Sequence, residues 1–180
     1  MNTRACDIRA LTNDDYDAVI RLATELDVEE RYRRFLTRYP SYIAEWALAL
    51  TTPPQPGCVS GAQPGCVTGA QPGCALGAFE SGELIGIADY STTATGDCAE
   101  VAVLVAHEQH QRGVGTLLLQ ELGRRAMAAG LHCLTADVLA DNQPMLQVIR
   151  DAGWPVTGRR DGEIVRIRVD LDRLRTDVRR

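Results

Sequence analysis

The feature that most limits the folds open to this chain is one continuous run, "CAEVAVLVAHEQHQRGVGTLLLQELGRRAMAAG", residues 98–130. An almost wholly apolar strand (98–106) passes through a polar turn holding Gly113 and Gly115 and goes straight into a helix. A strand apolar on both sides is a central one, covered on both faces. The helix places Val114, Leu118, Leu122, Ala126 and Ala129 on one stripe, and Gly130 stops it. A strand feeding directly into a helix in this way implies an α/β fold with a mixed central sheet flanked by helices.

The rest of the chain fits that frame. "ACDIRALT" (5–12) alternates as a first strand, and Asn13 or Asp14 can cap a helix carrying Val19, Leu22, Ala23 and Leu26. A second helical tract spans roughly 28–50, with Pro40 as its break. "CALGAFESGELIGIADYS" is a hairpin turning at Ser81-Gly82. "CLTADVLA" is another strand. "DNQPMLQVIRDAGW" is a short helix capped by Asp141 or Asn142, with Pro144 in its first turn and Gly153 at its end. "GEIVRIRVDL" is the last strand, followed by a frayed basic tail.

An internal repeat of period eight interrupts the pattern: "QPGCVSGA" (55–62), "QPGCVTGA" (63–70) and "QPGCALGA" (71–78). Solenoid units usually run to about 20 residues or more, so three octapeptides make no solenoid. They are expected to lengthen a surface loop, a flexible segment at about 52–73 within a single domain spanning 1–180. The alternative is a metal or redox role for its spaced cysteines.

Composition excludes several classes. At 45% hydrophobic and 24% charged the chain reads as a soluble globular domain. No apolar run reaches the roughly 20 residues that span a bilayer, and the N-terminus has no apolar signal core, so no membrane is expected and the cytoplasm is. A net charge of −5 gives no general pull toward nucleic acid. Six cysteines form no C-x-x-C pair and are expected to be free thiols. The three histidines offer no obvious metal site. "HEQHQ" resembles a zinc-protease helix only until position 111, which is Gln111.

Two glycines at the mouth of a helix bring backbone N–H groups close to an anion, and the helix dipole favours negative charge there. A dinucleotide fingerprint would need glycine at 118, which is Leu118. A P-loop would need a lysine, and the chain contains none. What remains, "HQRGVGT" (110–116), resembles the pyrophosphate-binding signature [QR]-x-x-G-x-[GA] of the GNAT superfamily of N-acetyltransferases, with His110 in place of the usual Gln or Arg. "AEVAVLVA" (99–106) is similar to that family's fourth strand, and "DVLADNQPMLQVIRDAGW" (137–154) to its fifth strand and following helix. The subgroup of bacterial protein-lysine acetyltransferases is more similar still, through "A-E-x-A-V" and an "R-Y-x-R-F" segment, here Arg31, Tyr32, Arg34 and Phe35.

The resemblance implies acetyl-CoA as the donor and no metal. It puts the pyrophosphate on His110, Gln111, Arg112, Gly113, Val114, Gly115 and Thr116, largely through their N–H groups. The pantetheine arm pairs with the backbone of Val103 and Val105, and an N–H near Val103 or Leu104 meets the oxyanion of the tetrahedral intermediate. Asn142 contacts the arm, in addition to or instead of capping its helix, and Met145 packs near it or fills the core. Glu100 is the general base, the alternative being a solvent-facing strand residue. An amine with a pKa of about 10.4 is only about 0.1% neutral near pH 7, a deficit of ~4 kcal/mol that a placed carboxylate can offset. Many family members protonate the leaving thiolate with a tyrosine seven residues after the asparagine; here that position is Ile149. The expected reaction is direct attack in a ternary complex on acetyl-CoA by the ε-amine of a protein lysine. A small-molecule amine acceptor and a catalytically silent acyl-CoA-binding module are the alternatives, and the oligomeric state stays open.

Overall fold

The computed structural model describes residues 6–35, 42–52, 72–92 and 96–177. Seven strands make one mixed sheet in the order β1-β2-β3-β4-β5-β7-β6: β1 (Asp7–Ala10), β2 (Pro72–Glu80), β3 (Glu83–Thr92), β4 (Cys98–Val105), β5 (Cys133–Leu139), β6 (Val156–Asp161) and β7 (Ile164–Asp170). All neighbours are antiparallel except β4 and β5, which are parallel and joined through α4 (Val114–Ala128). The apolar strand of the opening run is therefore central. The hairpin turns at Ser81 and Gly82, both with positive φ.

Each face of the sheet has its own core. On one, α4 lays Leu118, Leu119 and Leu122, all fully buried, against Leu76, Ala88, Tyr90, Ala99 and Leu134. The helices α5 (Gln143–Asp151) and α6 (Leu171–Asp177) extend the same core with Ile149 and Leu171. On the other face, α1 (Tyr16–Glu25) and α3 (Ile43–Thr51) close Val19, Leu22 and Leu50 over Leu84, Ile87 and Leu104, and α2 (Val28–Phe35) adds Phe35. The period-2 alternation of β4 follows: Ala99 and Val101 belong to the first core and Leu104 to the second.

Several expectations change. The first helix is entered through a 3-10 turn (Asn13–Asp15) capped by Thr12, whose N–H and hydroxyl both donate to the Asp15 carboxylate at 2.8 and 3.0 Å. Ala129 is exposed, just past the last turn of α4. The basic tail is helical, as α6, through Asp177. The strand β6 has no counterpart in the sequence reading because all six of its residues are exposed and leave no apolar alternation. The third octapeptide copy does run into a strand, β2, whereas Pro40 and residues 53–71, with most of the repeat loop and with Cys58 and Cys66, lie outside the described residues.

The free-thiol expectation fails for one pair. Cys98 and Cys133 are disulfide-bonded, with Cα atoms 4.7 Å apart. They are 35 residues apart in sequence and become neighbours only because the parallel ladder between β4 and β5 begins with this pair in register. Cys6 and Cys74 are free. No helix among the described residues is long and apolar enough to cross a membrane.

Candidate active site

The site is built around a gap in the sheet. Strand β4 pairs with β3 from Ala99 to Val105, but with β5 only at Cys98, Ala99 and Glu100. Past the Glu100–Thr135 pair the two parallel strands part. The Ala106 N–H donates to the Ile85 carbonyl on the β3 side at 2.9 Å. Backbone groups alternate sides along a strand, so Val103 and Val105 direct theirs into the gap while Leu104 directs its own toward β3. Leu104 is thereby turned away from an oxyanion in the gap, with its side chain buried in the second core. Of the two residues named for that role, Val103 has the suitable orientation.

The far end of the gap meets the glycine turn. Gln111 and Gly113 both take positive φ, 63° and 80°, and Gly113 caps α4 with its carbonyl accepting from the Leu117 N–H at 3.0 Å. Among the described residues no acceptor meets the N–H groups of Gln111, Gly113, Val114, Gly115 or Thr116. These are the orphan donors of a helix start, gathered beyond one edge of β4. The two glycines differ in what they do. A Cβ on Gly113 would meet no protein atom within 4 Å, so its backbone angle and the open space above it are what glycine supplies. A Cβ on Gly115 would sit 3.3 Å from Val148, so Gly115 lets α4 pack closely on α5.

The side chains around the turn are engaged with the protein. The Nε2 of His110 lies 3.0 Å from the Val105 carbonyl oxygen, folding the ring back over the end of β4. The Arg112 guanidinium donates to Glu80 at 2.7 and 3.2 Å and to Gln109, toward the β2–β3 hairpin. The Arg112 N–H makes a long 3.4 Å bond to the Gln109 carbonyl. Asn142 caps α5, its side-chain oxygen accepting from the Met145 N–H at 3.2 Å. Met145 is half-buried against the first core, and Ile149 lies inside it.

Glu100 stands at the mouth of the gap, exposed, opposite Ser91 on one side and Thr135 on the other. Among the described residues no cation pairs with it, which leaves its carboxylate available to an incoming group. Sequence reasoning missed two groupings near it. One is a cavity lined by Tyr32, Leu139, Ala140, Asp141, Arg160 and Glu163, which brings α2 to the end of β5 and to the β6–β7 hairpin. The other joins Glu30 of α2 to both histidines of the turn. The Nδ1 of His107 is 2.7 Å from the Glu30 carboxylate, which raises the imidazole's pKa, and the Nε2 of His110 is 4.0 Å away. The three offer ligand atoms within 4.8 Å of one another, a spacing that a divalent ion can bridge. The histidine spacing alone could not show this, because the third group comes from another helix.

The site thus belongs to an α/β protein whose seven-stranded mixed sheet parts beside a central strand, with the glycine turn at the opening. Residues 24–154 match the model of the acetyltransferase (GNAT) family, and the chain belongs to that family. It is 31% identical over 83 residues to an L-methionine sulfoximine/L-methionine sulfone acetyltransferase of Pseudomonas aeruginosa and to one of Pseudomonas paraeruginosa; the match spans 44% of this chain and 48% of each relative. The matched segment thus spans about half the length of those relatives. Among solved structures, the GNAT domain of S. lividans PAT superposes with a TM-score of 0.73 at 28% identity, covering 92% of this chain and 90% of that one. The fold is also shared with yncA, a putative acetyltransferase from Salmonella typhimurium solved with its cofactor acetyl-CoA, at TM-score 0.69 and 16% identity over 93% and 95% of the two chains.

Proposed function

We propose that the protein transfers an acetyl group from acetyl-CoA to a primary amine, with Glu100 as the general base. The observation that carries this is the parting of β4 from β5 directly after Glu100, which opens the backbone of Val103 and the N–H of Val105, whose carbonyl is held by His110, toward the unpaired N–H groups of the glycine turn. In this reading the pyrophosphate rests on the N–H groups of Gln111 to Thr116, and the pantetheine arm lies in the gap, passing Asn142 and Met145. The thioester then reaches the level of Val103, whose N–H receives the developing oxyanion. Glu100 takes the proton as the amine nitrogen bonds to the carbonyl carbon. The C–S bond breaks, and the thiolate leaves as a good leaving group that takes its proton from water.

For the acceptor, the ε-amine of a protein lysine is the reading supported by the "A-E-x-A-V" strand and the "R-Y-x-R-F" helix, now placed as β4 and α2. A second reading has its own support. The relatives with curated activities act on L-methionine sulfoximine and L-methionine sulfone, which are small amino-acid derivatives. The cytoplasm, where acetyl-CoA and both kinds of acceptor are found, is the proposed location.

The test is a CoA-release assay with lysine peptides and small amines, paired with calorimetry of acetyl-CoA binding. Acetyl-CoA is expected to raise the Tm of the wild-type protein, as a ligand of the native state does. Gly113→Glu puts a side chain and a negative charge into the open space above the turn, and is expected to abolish calorimetric binding while leaving the circular dichroism spectrum intact. Wild-type affinity in that variant places the pyrophosphate elsewhere. Binding with no release on any amine makes the protein a silent acyl-CoA module.

A further inference from the structure

Strands β5, β7 and β6 continue the sheet beyond the gap. Their apolar side chains, Leu134, Ala136, Val138, Val165, Ile167 and Val169, all belong to the α4 core. The alternate residues point to the opposite face, the same face as Glu100, where α2 reaches only the Leu139 end of β5 and Asp137, Thr157, Arg159, Arg166 and Arg168 are exposed. Register aligns Glu100 with Thr135, Thr135 with Arg168, Arg168 with Thr157, and Arg166 with Arg159. The result is a shallow cavity of about 430 Å³ lined by Thr135, Asp137, Thr157, Arg159, Arg166 and Arg168. In a chain of net charge −5, three exposed arginines share this patch beside the proposed base.

The three are not equivalent. Arg166 is shared between Asp137 and Asp161, at 3.8 Å from each. Among the described residues no carboxylate pairs with Arg168 or Arg159. The Arg168 guanidinium reaches across β5 to lie 3.6 Å from the Cys98 sulfur. Cys98 stands two residues before Glu100 on the same face of β4, about 7 Å along the strand. The Arg168 guanidinium, which has no carboxylate partner among the described residues, thus lines the cavity, and the Glu100 carboxylate stands on the same face two strands away, next to the lining residue Thr135.

We propose that the acetyl acceptor is an amine that also carries a carboxylate, and that Arg168, backed by Arg159, binds this carboxylate while Glu100 receives the amine. This rests on the reading of Glu100 given above and names the acceptor's chemical class. A guanidinium presents a planar pair of N–H donors that matches a carboxylate bidentately, and a carboxylate repels Glu100, so the acceptor is held in one orientation with its amine at the base. The bonds of the reaction are unchanged: N–C forms, C–S breaks and the amine proton passes to Glu100. Arg168 positions the substrate and exchanges no proton. A free amino acid and a lysine flanked by acidic residues both present this chemistry.

The experiment measures kcat and KM for CoA release with four kinds of acceptor: free amino acids, their methyl esters, lysine peptides flanked by Glu, and the same peptides flanked by Ala. Carboxylate-bearing acceptors are expected to exceed their uncharged counterparts about tenfold or more in kcat/KM. Turnover confined to the free amino acids or to the acidic peptides identifies the source of the carboxylate. Arg168→Gln is expected to raise KM for those acceptors about ten- to a hundredfold with kcat little changed, Arg168→Lys to recover part of the loss, and neither to alter acetyl-CoA affinity or Tm. Esters or Ala-flanked peptides used as well as the charged acceptors overturn the proposal, as does an equal rise in KM for both kinds. An absence of CoA release with any amine, acetyl-CoA still binding, overturns the transfer reading and this proposal with it.

Discussion

One face of the sheet is divided by the gap beside β4 into two halves that treat charge in opposite ways. On the half covered by α1–α3, Arg34 meets Asp89 at 2.9 Å with both side chains 12% exposed, and the guanidinium also lies over the rings of Phe35 and Trp46. On the bare half, Arg166 meets Asp137 at 3.8 Å with side chains 64% and 42% exposed. The chemistry is the same and the solvent is not. Burial pushes the Asp89 carboxyl above its ordinary range, against the pull of Arg34, so the covered pair is held together by the cost of separating it. The bare pair is solvated and loosely held.

Substitution should sort the ion pairs of this face by burial. The largest effect is expected from Arg34→Met, which leaves the buried Asp89 carboxyl without its partner under α2. Removing one partner of a buried pair costs about 3–5 kcal/mol, read as a fall in the urea midpoint at constant m. A cost below ~1 kcal/mol there would remove the distinction between the halves. An intermediate case is Arg9–Asp15, at 2.7 Å with side chains 43% and 8% exposed. The bond from Arg9, with those from Thr12, holds the Asp15 carboxyl at about 2. Since the folded value lies below the unfolded one, its contribution of about 2 kcal/mol is complete above pH ~4 and is lost as pH falls through about 2. Asp15→Asn should therefore destabilise by roughly that amount at pH 7 and by almost nothing near pH 2; a pH-independent difference would assign the loss to packing. The smallest effect is expected from Arg166→Met, within about 1 kcal/mol, and a larger one would mean that the bare half is covered in solution.

The same division explains what the sequence could and could not reveal. The β4–turn–α4 unit and its donor side are made of consecutive residues, so His110 to Thr116 could be read in a line. The Asn142 cap and Pro144 likewise mark α5 locally. The proposed acceptor side is assembled across the sheet. Arg168 comes near Glu100 only because β7 adds next to β5, an order that no local spacing encodes. The arginines of "IVRIRVD" do alternate, which placed them on one face of a strand, but which face, and beside what, depends on the register with β5. The Cys98–Cys133 bond was hidden for the same reason, and Glu30 reaches His107 from a helix 77 residues away. Strand β6 was invisible because nothing on it is buried.

The central claim is that Glu100, at the point where β4 and β5 part, accepts the amine's proton. Steady-state kinetics of Glu100→Gln with the best acceptor, alongside calorimetry of acetyl-CoA binding, tests it most directly. Glutamine keeps the shape and cannot take the proton, so kcat is expected to fall by ~10²–10⁴ with acetyl-CoA affinity unchanged, and part of the deficit is expected to return at high pH as free amine becomes abundant. Full activity at neutral pH, or an equal loss of acetyl-CoA binding and turnover, contradicts the account.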